Sequence, residues 1–376
     1  MNRKRILVLS VSAGAGHVRA AQALCAAAQP AFPQLEVTHV DVMDLVSQAF
    51  RKLYAGSYIK LVEKLPIAWA WLYQSTDRRS ARSTVDQLRR RIQRLNTRKL
   101  DDELARIAPD AIVCTHFLPA ELLSHRIAKG RATPPVWVQV TDFDVHGLWI
   151  HPHLAGYCVA NHEIAARVVA RGISAEQTFV TGIPIMPQFS HHLSRATCAA
   201  ELGIDARKTT LLMMSGGGAG VGDMQSLAKQ LVSLEHDLQV VALTGRSEKL
   251  LAALQRLAKA HPGRLFPLPF TRTIERVMAA ADLAITKPGG LTTSECLAME
   301  LPMIVISPIP GQEERNADFL LESGAALKAV DAASLEYKVR LLLEHPERLS
   351  VMRECMRAKA RPHAAASVLK LVAERL

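Results

Sequence analysis

Glu295 stands about one helical turn beyond a glycine pair in the stretch Thr286-Lys287-Pro288-Gly289-Gly290-Leu291-Thr292-Thr293-Ser294-Glu295. A strand-like run, Ala281 to Ile285, precedes the turn, and a helix-like run, Leu291 to Met299, follows it. A Gly-rich turn at a helix start presents unpaired backbone N–H groups, and the dipole adds roughly half a positive charge. An anion fits there. A carboxylate one turn further on can accept hydrogen bonds from the paired hydroxyls of a sugar. The same pattern also serves as plain strand-to-helix architecture, so the stretch alone leaves both readings open.

Further groups carry related chemistry. Ser215, Gly216, Gly217 and Gly218 follow the apolar run Thr210 to Met214 and form a second turn able to cradle a pyrophosphate. Gln312 and Glu313 set an amide beside a carboxylate, a pairing that suits the hydroxyls of a second sugar. Near the start, Ser12-Ala13-Gly14-Ala15-Gly16-His17 follows the run Ile6 to Val11. It is not a dinucleotide fingerprint, because Arg19 occupies the place of the third glycine. His17 falls at the mouth of the next helix. There it is either a capping residue or a proton acceptor, and a histidine has a suitable pKa for removing a proton from a hydroxyl. No GxxxxGK(S/T) loop is present, which disfavours ATP-type phosphoryl transfer. His146, His151 and His153 lack a flanking set of carboxylates or cysteines, so they are not read as metal ligands.

Strands must position these turns. Continuous apolar runs with β-branched residues mark buried parallel strands. They occur at 6–11, 36–42, 111–115, 136–140, 157–160 and 178–181, then at 210–214, 238–244, 265–268, 281–286 and 303–306. Helical patterns separate them. The first is expected to end at Pro30, and helices are expected to fill the chain beyond the last strand. His116 and the Thr141-Asp142 pair stand at carboxyl ends of strands, where open α/β sheets keep their sites. The proline-rich segment 182–187 reads as a linker. Strand–helix alternation on both sides of it predicts an α/β protein of two doubly wound, Rossmann-like domains facing a central cleft. The expected domains are 1–185 and 186–360, with a C-terminal helix over 361–376 packing back on the first.

The chain carries 46 basic and 35 acidic side chains, a net charge of +11, which favours anionic partners. Its six cysteines are scattered with no CxxC, the pattern of reduced thiols in a cytosolic protein. The N-terminus has no apolar signal-peptide region, and no run reaches the ~18 residues of a membrane span. Residues 43–96 are different. Tyr54, Tyr58, Trp69 and Trp71 interleave with Arg51, Lys52, Lys60 and Lys64. That composition suits a helix lying in a membrane interface, or equally a core-packed hairpin with a basic back face. No recognised nucleic-acid module occurs.

Five motifs in order carry a resemblance: Ser12 to His17, Thr141-Asp142-Phe143, Thr181 to Ile185, Thr286 to Glu295, and Pro310 to Glu313. Together they resemble the family of monogalactosyldiacylglycerol synthase and processive diacylglycerol glucosyltransferase. These are inverting glycosyltransferases of the GT-B fold, family 28-like, related to the cell-wall enzyme that adds N-acetylglucosamine to lipid I. The resemblance implies a UDP-sugar donor in the second domain and a lipid hydroxyl, diacylglycerol, as acceptor in the first. It carries over His17 as general base. Glu295 matches the ribose-binding acid, Gln312 and Glu313 the sugar-hydroxyl pair, and Arg272, Thr273 and Ile274 the segment that holds uracil. Ser215 to Gly218, with Gly289, Gly290, Leu291 and Thr292, fall at the diphosphate. The acceptor is expected at Gly14, Gly16, Asp142 and Trp149. The aromatic-basic segment falls where the family docks on an anionic membrane surface, which implies a peripheral enzyme on the cytoplasmic side. No metal is expected for the chemistry, and no nucleic acid as partner. One departure is the AGAGH form of the first turn, where the family is richer in glycine. The alternatives are transfer of N-acetylglucosamine to a polyprenyl-linked sugar, or a nucleotide-sugar-binding protein without catalysis.

Overall fold

The computed structural model describes residues 3–12, 14–46, 97–214 and 223–376. The chain divides into two units. One comprises Met1–Pro187, Pro310–Gln312 and His363–Leu376; the other comprises Gln188–Ile309 and Glu313–Pro362.

The first unit is built on a six-stranded parallel sheet of β1 (Lys4–Ser10), β2 (Leu35–Asp41), β3 (Ala111–Cys114), β4 (Val136–Gln139), β5 (Gly156–Val159) and β6 (Thr178–Val180). The spatial order is β2-β1-β3-β4-β5-β6. Helices α1 (Ala15–Ala31), α2 (Thr97–Ile107), α3 (Phe117–Ala128) and α4 (His162–Ala170) follow the strands. Burial on both faces explains the continuous apolar runs. Successive side chains of a strand alternate between faces. Leu7 and Leu9 of β1 join Ile112, Cys114 and Val138 in one core cluster. Ile6 and Val8 join Val113 and Trp137 in another, beneath Ala21 and Leu24 of α1.

The second unit repeats the plan with β7 (Thr209–Met214), β8 (Leu238–Leu243), β9 (Leu265–Leu268), β10 (Leu283–Thr286), β11 (Met303–Ile306) and β12 (Ala326–Ala329). Their order is β12-β11-β10-β7-β8-β9, again parallel throughout. Its helices are α5 (Arg195–Leu202), α6 (Met224–Val232), α7 (Glu248–Ala260), α8 (Ile274–Ala279), α9 (Gly290–Ala298), α10 (Gln312–Glu322), α11 (Ala332–Glu344) and α12 (Glu347–Lys359). Asp282, just before β10, fixes that strand against β7. Its carboxylate accepts from the Thr210 N–H at 2.9 Å and from both terminal nitrogens of Arg195 at 2.6 and 2.8 Å. The last helix, α13 (Ala364–Ala373), belongs to the first unit, where Ala365, Val368, Leu369 and Val372 join the cluster of Ile6 and Leu24. Each fully buried aliphatic side chain of this kind stabilises by roughly 1.5–3 kcal/mol.

Two expectations are corrected. Helix α1 runs through Pro30 to Ala31, and the Phe32 N–H still reaches the Ala28 carbonyl at 2.9 Å. Proline lacks an N–H and crowds the carbonyl four residues back, but one residue from the helix end this disturbs only the last turn. The chain beyond β11 is not wholly helical. Ala-Leu-Lys-Ala of β12 pairs with β11 from Met303↔Ala326 to Ile306↔Ala329. Its composition favours helix, and tertiary pairing overrides it.

Strand order reverses between β1 and β3 in the first sheet and between β7 and β10 in the second. Open α/β sheets bind ligands outside the carboxyl ends of the strands at such points.

Candidate active site

In the first unit the reversal brings three strand ends together. β1 leads to the turn at Gly14, β3 to Thr115 and His116, and β4 to Thr141 and Asp142. Gly14 is the N-cap of α1 with φ 100° and ψ 153°, a conformation essentially restricted to glycine. This sharp turn delivers His17 into the first turn of α1. Its Nδ1 lies 2.9 Å from the Thr115 carbonyl oxygen and 2.9 Å from Thr141 Oγ1. A carbonyl can only accept, so Nδ1 carries the proton and the lone pair resides on Nε2. Thr115 Oγ1 in turn donates to the His17 carbonyl at 2.9 Å, which ties the start of α1 to the end of β3.

His17 is half-buried and keeps part of its surface open. The protein atoms crowding its ring nonetheless lower its pKa to about 4, burial outweighing the opposing effect of the Thr115 carbonyl. The imidazole is therefore neutral at pH 7, as a proton acceptor must be. His116 packs against it edge to face, centroids 4.5 Å apart and planes at 82°. The Trp149 ring lies 6.1 Å from His17 and is itself buried. Asp142 is half-buried; Gly14 is exposed and Gly16 half-buried. Of the residues expected at the acceptor, Gly16 precedes His17 in the chain, Trp149 lies beside its ring, and Asp142 follows Thr141, which contacts His17.

In the second unit, Thr286 of β10 pairs with Val305 of β11, so the segments following these two strands leave adjoining edges of the sheet. Gly289 is the N-cap of α9 with no side-chain cap, and the space where its Cβ would stand is open for 4 Å. The first N–H groups of α9 therefore have no side-chain cap. Gly290 and Leu291 open the helix and are buried, Thr292 is half-buried, and Glu295 is buried one turn in. Gly311, at φ 95° in the short stretch Pro310–Gln312 that groups with the first unit, turns the chain into α10, whose first residues are Gln312 and Glu313. Glu313 Oε2 accepts from the Ile309 N–H at 2.7 Å. Burial raises the pKa of Glu313, opposed by that hydrogen bond and by the charge of Lys287. Arg272 and Thr273 are exposed and Ile274 half-buried, where the chain after β9 enters α8. Strand β9 stands three places from β10 in the sheet, so these residues are not beside the Gly289 turn in strand order. Ser215, Gly216, Gly217 and Gly218 lie outside the described residues, as do Tyr54, Tyr58, Trp69 and Trp71.

Two side chains at these sites were not singled out by sequence. His116 was visible only as a polar residue at a strand end, because nothing in the chain says that β3 lies beside β1. Lys287 is buried at the end of β10 and acts on Glu313. Its signal was its place immediately before Pro288-Gly289.

This architecture has known counterparts. Residues 17–185 match the family model of monogalactosyldiacylglycerol (MGDG) synthase, and residues 211–368 match the glycosyltransferase family 28 C-terminal domain. The chain thus carries an MGDG-synthase domain followed by a glycosyltransferase family 28 C-terminal domain. The processive diacylglycerol β-glucosyltransferase of Bacillus pumilus (strain SAFR-032) is 27% identical over 374 residues, covering 99% of this chain and 95% of the relative. Its counterpart in Bacillus cereus (strain AH187) is 28% identical over 375 residues, covering 98% and 93%. Among solved structures, MurG of Acinetobacter baumannii superposes with a TM-score of 0.65 at 16% identity, covering 99% of both chains. That likeness establishes the two-sheet GT-B fold, and the family establishes glycosyl transfer as the reaction class.

Proposed function

We propose that the chain transfers a hexose, glucose or galactose, from its UDP form to the hydroxyl of diacylglycerol, inverting the anomeric centre. The observation that carries this reading is the His17 arrangement: a neutral imidazole whose Nδ1–H is engaged and whose Nε2 lone pair is left for a hydroxyl. The names of the relatives support diacylglycerol as acceptor and glucose as the sugar.

In this mechanism the acceptor oxygen attacks the anomeric carbon. The new C–O bond forms as the bond from that carbon to the diphosphate oxygen breaks. The hydroxyl proton passes to His17 Nε2, and UDP leaves with the electron pair. Such a base contributes roughly 10²–10⁴-fold. The uncapped start of α9 at Gly289, Gly290, Leu291 and Thr292 receives the diphosphate, with Ser215 to Gly218 as a second cradle. Glu295 accepts from the ribose, Gln312 and Glu313 from the sugar, and Arg272 to Ile274 hold uracil. Gly14, Gly16, Asp142 and Trp149 line the acceptor side. The residues present require no metal for these steps.

Among the described residues no helix is long and apolar enough to cross a membrane. The net charge of +11 and the aromatic-basic segment around Trp69 and Trp71 support peripheral docking on the cytoplasmic face of an anionic membrane. No role for nucleic acid is proposed.

The test is incubation with radiolabelled UDP-glucose, UDP-galactose or UDP-N-acetylglucosamine and diacylglycerol in liposomes. Label from a hexose donor is expected in the organic phase. Label only from UDP-N-acetylglucosamine, or none, would overturn the assignment. Replacing Trp69 and Trp71 together should reduce sedimentation with anionic liposomes, and unchanged sedimentation would remove the docking role.

A further inference from the structure

Among the described residues, the hydrogen bonds that tether the His17 ring run along one edge, through Nδ1 to Thr115 and Thr141. A ring held at one edge can still tilt about that bond, and the free Nε2 at its far side then moves most. Two described rings flank it: His116, nearly perpendicular to His17 with centroids 4.5 Å apart, and Trp149 at 6.1 Å. His116 is itself fixed. It is buried, its Nδ1 accepts from the Leu118 N–H at 3.0 Å, and its ring lies 4.1 Å from that of Phe117 and 6.3 Å from that of Trp149.

The hydrogen bond from Leu118 assigns the tautomer. Nδ1 of His116 is the acceptor, so the proton is on Nε2, the opposite of His17. Burial, and then the nearness of His17, hold the pKa of His116 well below the ordinary value, so it does not add a charge beside the base. Capping alone does not account for a histidine here. As N-cap of α3 the position would be served as well by serine, threonine, asparagine or aspartate, the residues helices prefer.

We propose that His116 is a positioning residue for His17, its ring holding the His17 imidazole at the angle that keeps Nε2 on the acceptor hydroxyl. This rests on the reading of His17 as the base. His116 touches no reacting atom in this scheme and acts through His17.

Two substitutions separate the ring from the cap. His116→Asn keeps an oxygen for the Leu118 N–H and removes the ring. His116→Phe keeps a ring and removes the acceptor. His116→Asn is expected to lower kcat about 10–100-fold while KM for the UDP-sugar stays within about twofold. His116→Phe is expected to hold kcat within about threefold while Tm falls by about 2–3 °C. Wild-type kcat in His116→Asn, or equal loss of kcat in both variants, would overturn the proposal. A readout independent of turnover is the ¹⁵N spectrum of the His17 ring. In His116→Asn its Nε2 signal should shift or broaden relative to the wild type. An unchanged signal would overturn the positioning role. If instead His17→Ala retained full activity while that signal still shifted, the base assignment would fail and the packing role would stand.

Discussion

Two strand–turn–helix segments of this chain look alike in sequence and differ in what they present. The turn after β1 places a side chain: Gly14 bends sharply at φ 100°, and His17 is then anchored through Thr115 and Thr141. The turn after β10 places backbone. Gly289 has an ordinary φ of −65°, and open space lies where its side chain would be. One glycine is required by conformation. The other fits a need for room above a helix N-terminus. A Gly-rich turn therefore does not announce its chemistry; the strain at the glycine and the first polar side chain after it do.

The contrast can be broken at several points. Glu295→Ala should weaken UDP binding by about 10–100-fold in calorimetry, the loss expected when a charge-assisted hydrogen bond is removed. Unchanged affinity would remove the ribose role. Gly289→Ala should weaken UDP binding by about tenfold with Tm unchanged, since alanine meets neither strain nor a clash there. A fall in Tm with intact affinity would make Gly289 a structural glycine. Gly14→Ala should behave in the opposite way. It should destabilise the fold by about 1–3 kcal/mol in denaturant titration and leave UDP affinity unaltered. Equal behaviour of the two alanine variants would erase the distinction.

A smaller effect concerns pH. His17 titrates at about 4 when folded and at its ordinary value of 6.5 when unfolded. The unfolded chain binds more protons between these values, so folding stability should rise with pH from about 4 to about 6.5. His116, also held neutral by burial, acts in the same direction. Transfer that depends on neutral His17 should persist through mildly acidic buffer and fall only as pH drops through about 4. A shallower rise in His17→Ala across that window than in the wild type would confirm His17 as one source, the remainder coming from His116.

Much of this was legible in the chain. The apolar runs located the strands because both sheet faces are covered, and Gly14, His17, Gly289 and Glu295 stood out by type and spacing. Strand β12 escaped because alanine, leucine and lysine favour helix, and only pairing with β11 makes Ala326 to Ala329 extended. Pro30 misled because it stands one residue from the end of α1, where its missing N–H and ring disturb only the last turn. His116 could not be read as a neighbour of His17, since sheet order, not sequence distance, brings residues 99 apart into ring contact. The aromatic-basic segment of Trp69 and Trp71 lies outside the described residues, so its role rests on composition.

The central claim is that the first turn supplies an unprotonated Nε2 on a neutral His17. The most direct measurement is a ¹⁵N NMR titration of the wild-type chain with labelled histidine, the His17 signals assigned by comparison with His17→Ala. A proton on Nδ1, a bare Nε2 at pH 7 and a titration midpoint near 4 are expected. A proton on Nε2, or a midpoint at or above the ordinary histidine value, would contradict the claim.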